Sequence, residues 1–198
     1  MIGRNQITGL VLAGGRGLRM AGADKGLQIW RGETLAAHAL SRLAPQVDRL
    51  LVSANRNLEA YAAFGSPVLI DDFAGFAGPL AGMLSGLERA ETDFLAVVAC
   101  DVPNFPPDLV ARLAAAFAGR ACDIAVAATP FGHAERLEPT FLVARRSVAG
   151  SLRAFLERGE RQAERWIRTT SHTIVAFPDT AAFVNANTLA DLQALEAK

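Results

Sequence analysis

The chain contains two cysteines, Cys100 and Cys122. They form no metal-binding spacing and no disulfide framework. Each lies at the end of an apolar segment, which reads as a small buried hydrophobe. Histidine is almost as scarce. His38, His133 and His172 share no spacing, so neither a metal–histidine pattern nor a Ser-His-Asp arrangement is legible, and none of the three is given a catalytic role. An excess of one charge is also missing: 20 Lys+Arg face 20 Asp+Glu, for a formal net charge of zero. That balance argues against a general nucleic-acid or anionic-membrane binder. No run reaches the ~18 apolar residues of a membrane span, and the N-terminus has no continuous apolar signal core. A reduced, soluble, cytoplasmic protein is expected. Lysine is the last scarcity: Lys25 and Lys198 are the only two, in a chain that otherwise builds its cations from arginine.

What is present suits one well-packed globular domain over residues 1–198, with 51% apolar and 20% charged residues. Ile7 to Leu27 reads ITGLVLAGGRGLRMAGADKGL. A short apolar run breaks into Gly14-Gly15-Arg16-Gly17, with Arg19, Asp24 and Lys25 following. Such a loop can bring backbone N–H groups close to an anion, and Arg19 and Lys25 add positive charge. The pattern reads as a phosphate site. It is not a dinucleotide fingerprint, because Gly15-x-Gly17 is followed by Leu18, Arg19 and Met20. It is not a P-loop either, because Ala23 follows Gly22 where lysine is needed. A plain strand–helix turn would account for Gly14 and Gly15, but not for Arg19, Asp24 and Lys25 on the same loop.

Strand-like and helix-like segments alternate. Strands are expected over Ile7–Leu12, Arg49–Ser53, Pro67–Ile70, Phe94–Ala99, Asp123–Ala128, Thr140–Ala144 and Thr173–Phe177. Helices are expected over Thr34–Leu43 (capped by Thr34), Leu58–Phe64, Leu80–Ala90, Pro107–Phe117, Val148–Glu157 and Leu189–Ala197. Continuous apolar strands imply burial on both faces, and their alternation with helices predicts a doubly wound α/β fold with a mostly parallel sheet. In such sheets ligands bind at the carboxyl ends of the strands. The glycine loop, Ser53 to Arg56, Asp71 and Asp101 all fall at such ends.

Asp101 follows the most hydrophobic strand. It is placed to bind Mg²⁺, a hard cation that takes few protein oxygens, or else to cap the turn before Pro107. Asp71 belongs to an Asp71-Asp72 doublet that is either functional or a solvated turn. In Phe183-Val-Asn-Ala-Asn-Thr188, Asn187 or Thr188 reads as a helix cap, with Asn185 and Asn187 as alternative neutral oxygen ligands. Trp30, Trp166 and the scattered phenylalanines read as core.

LAGGRGLRMAGADKGL resembles the L-A-G-G-x-x-x-R-M-G-G-x-D-K signature of molybdenum cofactor guanylyltransferases. Further matches run in order along the chain: Ser53-Ala-Asn-Arg56, Ile70-Asp71, Gly78-Pro-Leu-Ala-Gly-Met83, Cys100-Asp-Val-Pro103, Pro106-Pro-Asp-Leu109, Glu138-Pro-Thr140 and Phe183 to Thr188. The resemblance implies a Rossmann-like, three-layer nucleotidyltransferase fold. It implies transfer of GMP from GTP to molybdenum-bound molybdopterin, with Mg²⁺ as cofactor. It implies a monomer with transient contacts to molybdenum-insertion proteins or acceptor molybdoenzymes, and no nucleic acid or membrane partner. Arg19, Lys25 and Asp101 are its catalytic residues, and Asp101 is the metal ligand. Leu12, Ala13, Gly14, Gly15, Lys25, Ser53, Asn55, Asp71 and Asp101 face the nucleotide. Gly78, Gly82, Arg161, Asn185 and Asn187 fall on the molybdopterin side. A carboxylate at Asp71 suits guanine, whose N1–H and N2–H₂ donors pair with it bidentately. The second glycine of Leu12-Ala-Gly-Gly15 also points to the guanylyl branch rather than to cytidylyl relatives. The chain departs from the family at Ala21, Ser53, Glu138 and Gln162, where the family has glycine, often asparagine, histidine and arginine.

Three rival readings stand beside this one. They are a cytidylyl- or sugar-phosphate nucleotidyltransferase of the same fold, a nucleotide-binding domain without turnover, and a structural α/β domain.

Overall fold

The computed structural model describes residues 2–13, 24–71, 73 and 78–196. The glycine loop, with Gly14, Gly15, Arg19 and Ala21, therefore lies outside the described residues.

The middle of the central sheet is built largely on buried apolar residues. Strand β1 (Ile7–Leu12) pairs in parallel with β4 (Arg49–Ser53) and β6 (Phe94–Ala99). Strand β5 (Val68–Leu69) extends the sheet beyond β4. On the other side, β8 (Ala134–Arg145) runs antiparallel to β6 and forms a hairpin with β7 (Ile124–Phe131), and β9 (His172–Ala176) lies parallel to β7. The order is β5-β4-β1-β6-β8-β7-β9, a seven-stranded mixed sheet in which β8 alone runs against the others. The two short strands β2 (Ile29–Trp30) and β3 (Glu33–Thr34) make a separate ribbon.

Side chains alternate across this sheet, and both faces are covered. Phe94, Ala96 and Val98 of β6 point into one core with Ala36, Leu40 and Leu43 of α1 (Leu35–Leu43) and Val110 and Leu113 of α4 (Leu109–Ala115). Leu95 and Val97 point into the other. There they meet Leu80, Leu84 and Leu87 of α3 (Pro79–Arg89), Leu152 and Phe155 of α5 (Ala149–Glu157), and Trp166 and Ile167 of α6 (Ala163–Thr169). Helix α2 (Leu58–Ala62) follows β4, and α7 (Leu189–Glu196) closes the described chain. Three layers with a mostly parallel sheet match the expected fold class. Cys100 and Cys122 are both buried and free, as small hydrophobes.

Several bounds differ from the sequence reading. Helix α4 starts at Leu109 rather than Pro107. Strand β8 begins six residues earlier than the apolar run suggests, because its partner β7 continues to Phe131 and carries Ala134, Glu135 and Arg136 into the ladder. Helix α6 and the β2–β3 ribbon are additions. The expected Thr34 cap is present: its side chain accepts a hydrogen bond from the Ala37 N–H.

Two glycines set the approach of α3 to the strand ends. Gly78 precedes the helix at φ 64°, ψ −150°, a conformation open in practice to glycine alone. At Gly82 an added Cβ would fall 2.4 Å from Ser53 Oγ and 2.8 Å from Leu12 Cδ2. The helix thus rests directly on the carboxyl ends of β1 and β4.

Candidate active site

The carboxyl ends of β1, β4, β5 and β6 share one edge of the sheet, since these strands are mutually parallel. Three chain segments far apart in sequence converge there. Lys25 opens a 3-10 turn, Lys25–Leu27, in the segment between β1 and β2. Its Nζ donates to Asp101 Oδ2 at 3.2 Å and to Asn187 Oδ1 at 2.6 Å. Asp101 lies two residues beyond β6. The Ala186 N–H donates to the Asp101 carbonyl at 2.7 Å, tying the 183–188 segment to that strand end. The side chains of Lys25 and Asp101 are 22% and 23% exposed. The lysine is therefore not the freely solvated side chain that a loop position suggests. It is held by two oxygens and still reachable from solvent.

Asn187 resolves the two readings left open for it. Thr188 caps α7, its hydroxyl accepting from the Asp191 N–H, while Asp191 Oδ2 accepts from the N–H groups of Asn187 and Thr188. The Thr188 side chain first, and then the N–H groups of Thr188 and Asn187, hold the Asp191 carboxyl below its ordinary range. The backbone of Asn187 joins the cap, and its side chain accepts from Lys25.

A second cluster lies beside the first at the β4 and β5 ends. Ser53 Oγ donates to Asp71 Oδ1 at 3.3 Å, and Asn55 Nδ2 donates to Asp71 Oδ2 at 2.7 Å. The Asp71 N–H returns a bond to Asn55 Oδ1 at 2.9 Å. Ser53, Asn55 and Asp71, three of the residues expected to face the nucleotide, therefore meet, and Asp71 is an oriented carboxylate. Leu12 sits at the last position of β1. The Ala13 N–H donates to the Ser53 carbonyl at 2.9 Å, so the sheet has already claimed it. The expected contributions of Gly14 and Gly15 fall outside the described residues.

The expected molybdopterin-side residues are more dispersed. Gly78 and Gly82 shape α3, and Gly82 packs on Ser53 and Leu12 at the nucleotide end. Arg161 follows α5 and spends one guanidinium nitrogen on the Leu156 and Glu160 carbonyls. Asn185 is exposed. Glu138 is almost buried, with one carboxylate oxygen accepting from Thr129 Oγ1 and from Arg136. Gln162 is exposed and precedes α6. The histidines stay outside this chemistry, and the His38 ring is bonded to the Trp30 carbonyl.

The sequence reading places Asp24 on the loop but not the partners that bury it. Asp24, directly before Lys25, is 7% exposed. Its carboxylate accepts from the Gly26 N–H, from Asn57 Nδ2 at 2.9 Å and from the Tyr61 hydroxyl at 2.6 Å, with Arg56 Nε at 3.4 Å. Tyr61, fully buried, is the only tyrosine in the chain. Burial first, and then its bond to Asp24, push its phenol far above the ordinary value of 10.0. The unfolded chain loses this proton near pH 10 and the folded chain keeps it, so this contribution to stability is complete below about pH 10 and fades as pH rises beyond. Ultraviolet titration therefore reads one phenol cleanly. We expect no tyrosinate signal at about pH 11 while circular dichroism still reports a folded chain. A tyrosinate signal appearing near pH 10 in the folded protein would contradict the buried network.

Among the described residues no group of three or more His, Cys, Asp or Glu side chains could hold a metal by itself. Asp101 alone suits a cation that shares most of its ligands with phosphates and water. Its carboxylate is accessible, and Asn187 supplies a further neutral oxygen nearby. No helix of the described chain is long and apolar enough to cross a membrane.

Comparison with known proteins adds to this geometry. Residues 9–174 match the MobA-like NTP transferase domain. A molybdenum cofactor guanylyltransferase of Bordetella petrii is 53% identical over 195 residues, covering 98% of this chain and 100% of that protein. The crystal structure of a molybdopterin-guanine dinucleotide biosynthesis protein A from Archaeoglobus fulgidus superposes with a TM-score of 0.76 at 22% identity, covering 96% and 97% of the two chains. A Mycobacterium tuberculosis protein crystallised in complex with manganese superposes at 0.73 with 21% identity, covering 99% and 100%.

Proposed function

The chain belongs to the molybdenum cofactor guanylyltransferase family and carries its MobA-like NTP transferase domain, and on that premise we propose how its residues perform the transfer. The enzyme is a nucleotidyltransferase that forms the guanine dinucleotide cofactor from GTP and molybdenum-bound molybdopterin. A phosphate oxygen of molybdopterin attacks the α-phosphorus of GTP in line. The new P–O bond forms as the α–β bridging bond breaks, and pyrophosphate departs with the electron pair. Positioning and charge stabilisation carry most of such a reaction.

The convergence of Lys25, Asp101 and Asn187 supports this reading most directly. Lys25 would place its ammonium against charge developing on the transferring and leaving phosphates, with Arg19 on the same loop assisting. Asp101 would hold Mg²⁺, which when bound neutralises phosphate charge. Asn187 would keep Lys25 aimed while the Asp101 oxygen serves the cation. The glycines at 14 and 15 would offer backbone N–H groups to the triphosphate. Arg161 and Asn185 fall on the side left for molybdopterin. We take residues 1–198 as one nucleotidyltransferase domain. It would work as a cytoplasmic monomer handing its product to insertion proteins or acceptor enzymes, and its zero net charge suits small-molecule substrates rather than nucleic acid.

Asp71 would read guanine. Its two oxygens, aligned by Ser53 and Asn55, can exchange those partners for the N1–H and N2–H₂ donors, an edge that cytosine lacks. Asp71→Asn keeps the size and replaces one acceptor with a donor. We expect kcat/KM for GTP to fall roughly 10–100-fold, the range of ~1–3 kcal/mol for a bidentate base contact, with no loss in the weak reaction with CTP. Equal losses for GTP and CTP would show that Asp71 supports the fold of the site and not its choice of base.

A further inference from the structure

Asp24 is buried more deeply than its local duty requires. As the residue before the 3-10 turn it needs to accept only the Gly26 N–H at 3.2 Å. An exposed serine or aspartate does as much for an ordinary cap. Burying a carboxylate costs several kcal/mol unless partners compensate it, and here they come from another part of the chain. Asn57 Nδ2 and the Tyr61 hydroxyl donate to it, with Arg56 paired to it at 3.4 Å. Tyr61 OH also lies 3.2 Å from the Ala13 carbonyl, at the end of β1. One carboxylate and one phenol thus join three pieces: the exit of β1, the turn carrying Lys25, and the start of α2.

The next residue shows how tightly the turn is placed. A Cβ at Gly26 would fall 2.3 Å from the Tyr61 hydroxyl oxygen and 3.1 Å from the ring. The turn therefore rests on a rigid, fully buried aromatic ring. Lys25 stands between Asp24 and Gly26, so both neighbours of the lysine are fixed from behind. Its long side chain leaves in the other direction, to Asp101 and Asn187. A free lysine side chain has about 1.5–2 kcal/mol of rotamer entropy to lose. Fixing its Cα reduces the set of arrangements from which the ammonium must be gathered. None of the groups that grip Asp24 is assigned to substrate in the reading above.

We infer that Asp24 and Tyr61 are positioning residues that set Lys25 against the reacting phosphates without touching them. The inference rests on the role proposed above for Lys25.

The chain's two lysines make it directly measurable. Lys198 serves as an internal standard for an amine-acylating reagent, with the labelling at each lysine counted by mass spectrometry of peptides. In the parent protein Lys25, held by two oxygens, labels slowly relative to Lys198. In Tyr61→Phe, which keeps the ring, and in Asp24→Asn, which keeps the shape, the Lys25/Lys198 labelling ratio rises about five-fold, the change expected for ~1 kcal/mol of lost positioning. The same variants lower kcat with little change in KM for GTP. Leu152→Ala, on α5 in the core it shares with α3, supplies the stability control: it lowers Tm and leaves the labelling ratio at the parent value. An unchanged ratio in both variants, whatever happens to Tm, overturns the inference. A raised ratio with unchanged kcat upholds the positioning of Lys25 and removes its proposed part in catalysis, which separates the two claims.

Discussion

Lys25→Ala lowers kcat by about 10²–10³-fold, the loss found when a preorganised group facing transition-state charge is removed. KM for GTP rises less, because the triphosphate keeps its other partners. The fold survives. The Lys25–Asp101 pair is partly exposed on both sides, and such pairs are worth about 1 kcal/mol or less. Asp101 and Asn187, left behind, are open enough to be hydrated. Steady-state pyrophosphate release together with a thermal melt checks both parts. Parent-level turnover, or a chain that no longer folds, would remove Lys25 from the role given to it. Lys25→Arg is a useful companion. It keeps the charge, but its planar fork does not suit the point contact with Asp101 and Asn187, so it recovers only part of the rate.

Asp101→Asn has the second large effect. The substitution keeps an oxygen but removes the charge that a hard divalent cation prefers. It also removes the anionic partner of Lys25. We expect turnover at saturating GTP to fall roughly 10²-fold, and more Mg²⁺ to be needed for half of the remaining rate. A readout free of catalysis is available: Mn²⁺ binding in the presence of GTP, followed by electron paramagnetic resonance, weakens in the variant. Identical Mg²⁺ titrations and Mn²⁺ binding in variant and parent would place the metal elsewhere.

Much of the sheet was legible because burial on both faces leaves a simple signature. Strands β1, β4 and β6 are dominated by apolar residues, unbroken in β6, and their observed bounds coincide with those expected from the sequence. Where burial is one-sided the signal weakens. Residues 134–136 of β8 are exposed, two of them charged, and only their pairing with β7 makes them strand. Helix α6 shows just Ala163, Trp166 and Ile167 as its buried face, one turn's worth of periodicity.

The site divides in a similar way. Lys25, Asp71 and Asp101 each announce themselves locally, as a rare cation beside glycines or as a carboxylate at a strand end. Asn187 did not separate from a helix cap until its side chain was seen on Lys25, 162 positions away. The pairing of Asp24 with Tyr61 is not legible from either residue's local sequence. Asp24 looks like one more loop charge, and Tyr61 like one more apolar residue of a short helix. Only parallel pairing of β1 with β4 brings the segments after them together. The one available hint was Gly26, a glycine directly after Asp-Lys, where the fold leaves no room for a Cβ.

The most direct test of the account is pyrophosphate release by the purified protein with Mg²⁺ and molybdenum-loaded molybdopterin, comparing GTP with CTP. The account predicts release with GTP that depends on both the metal and the pterin, and little with CTP. Release with CTP in preference to GTP, or none with either nucleotide, would contradict it.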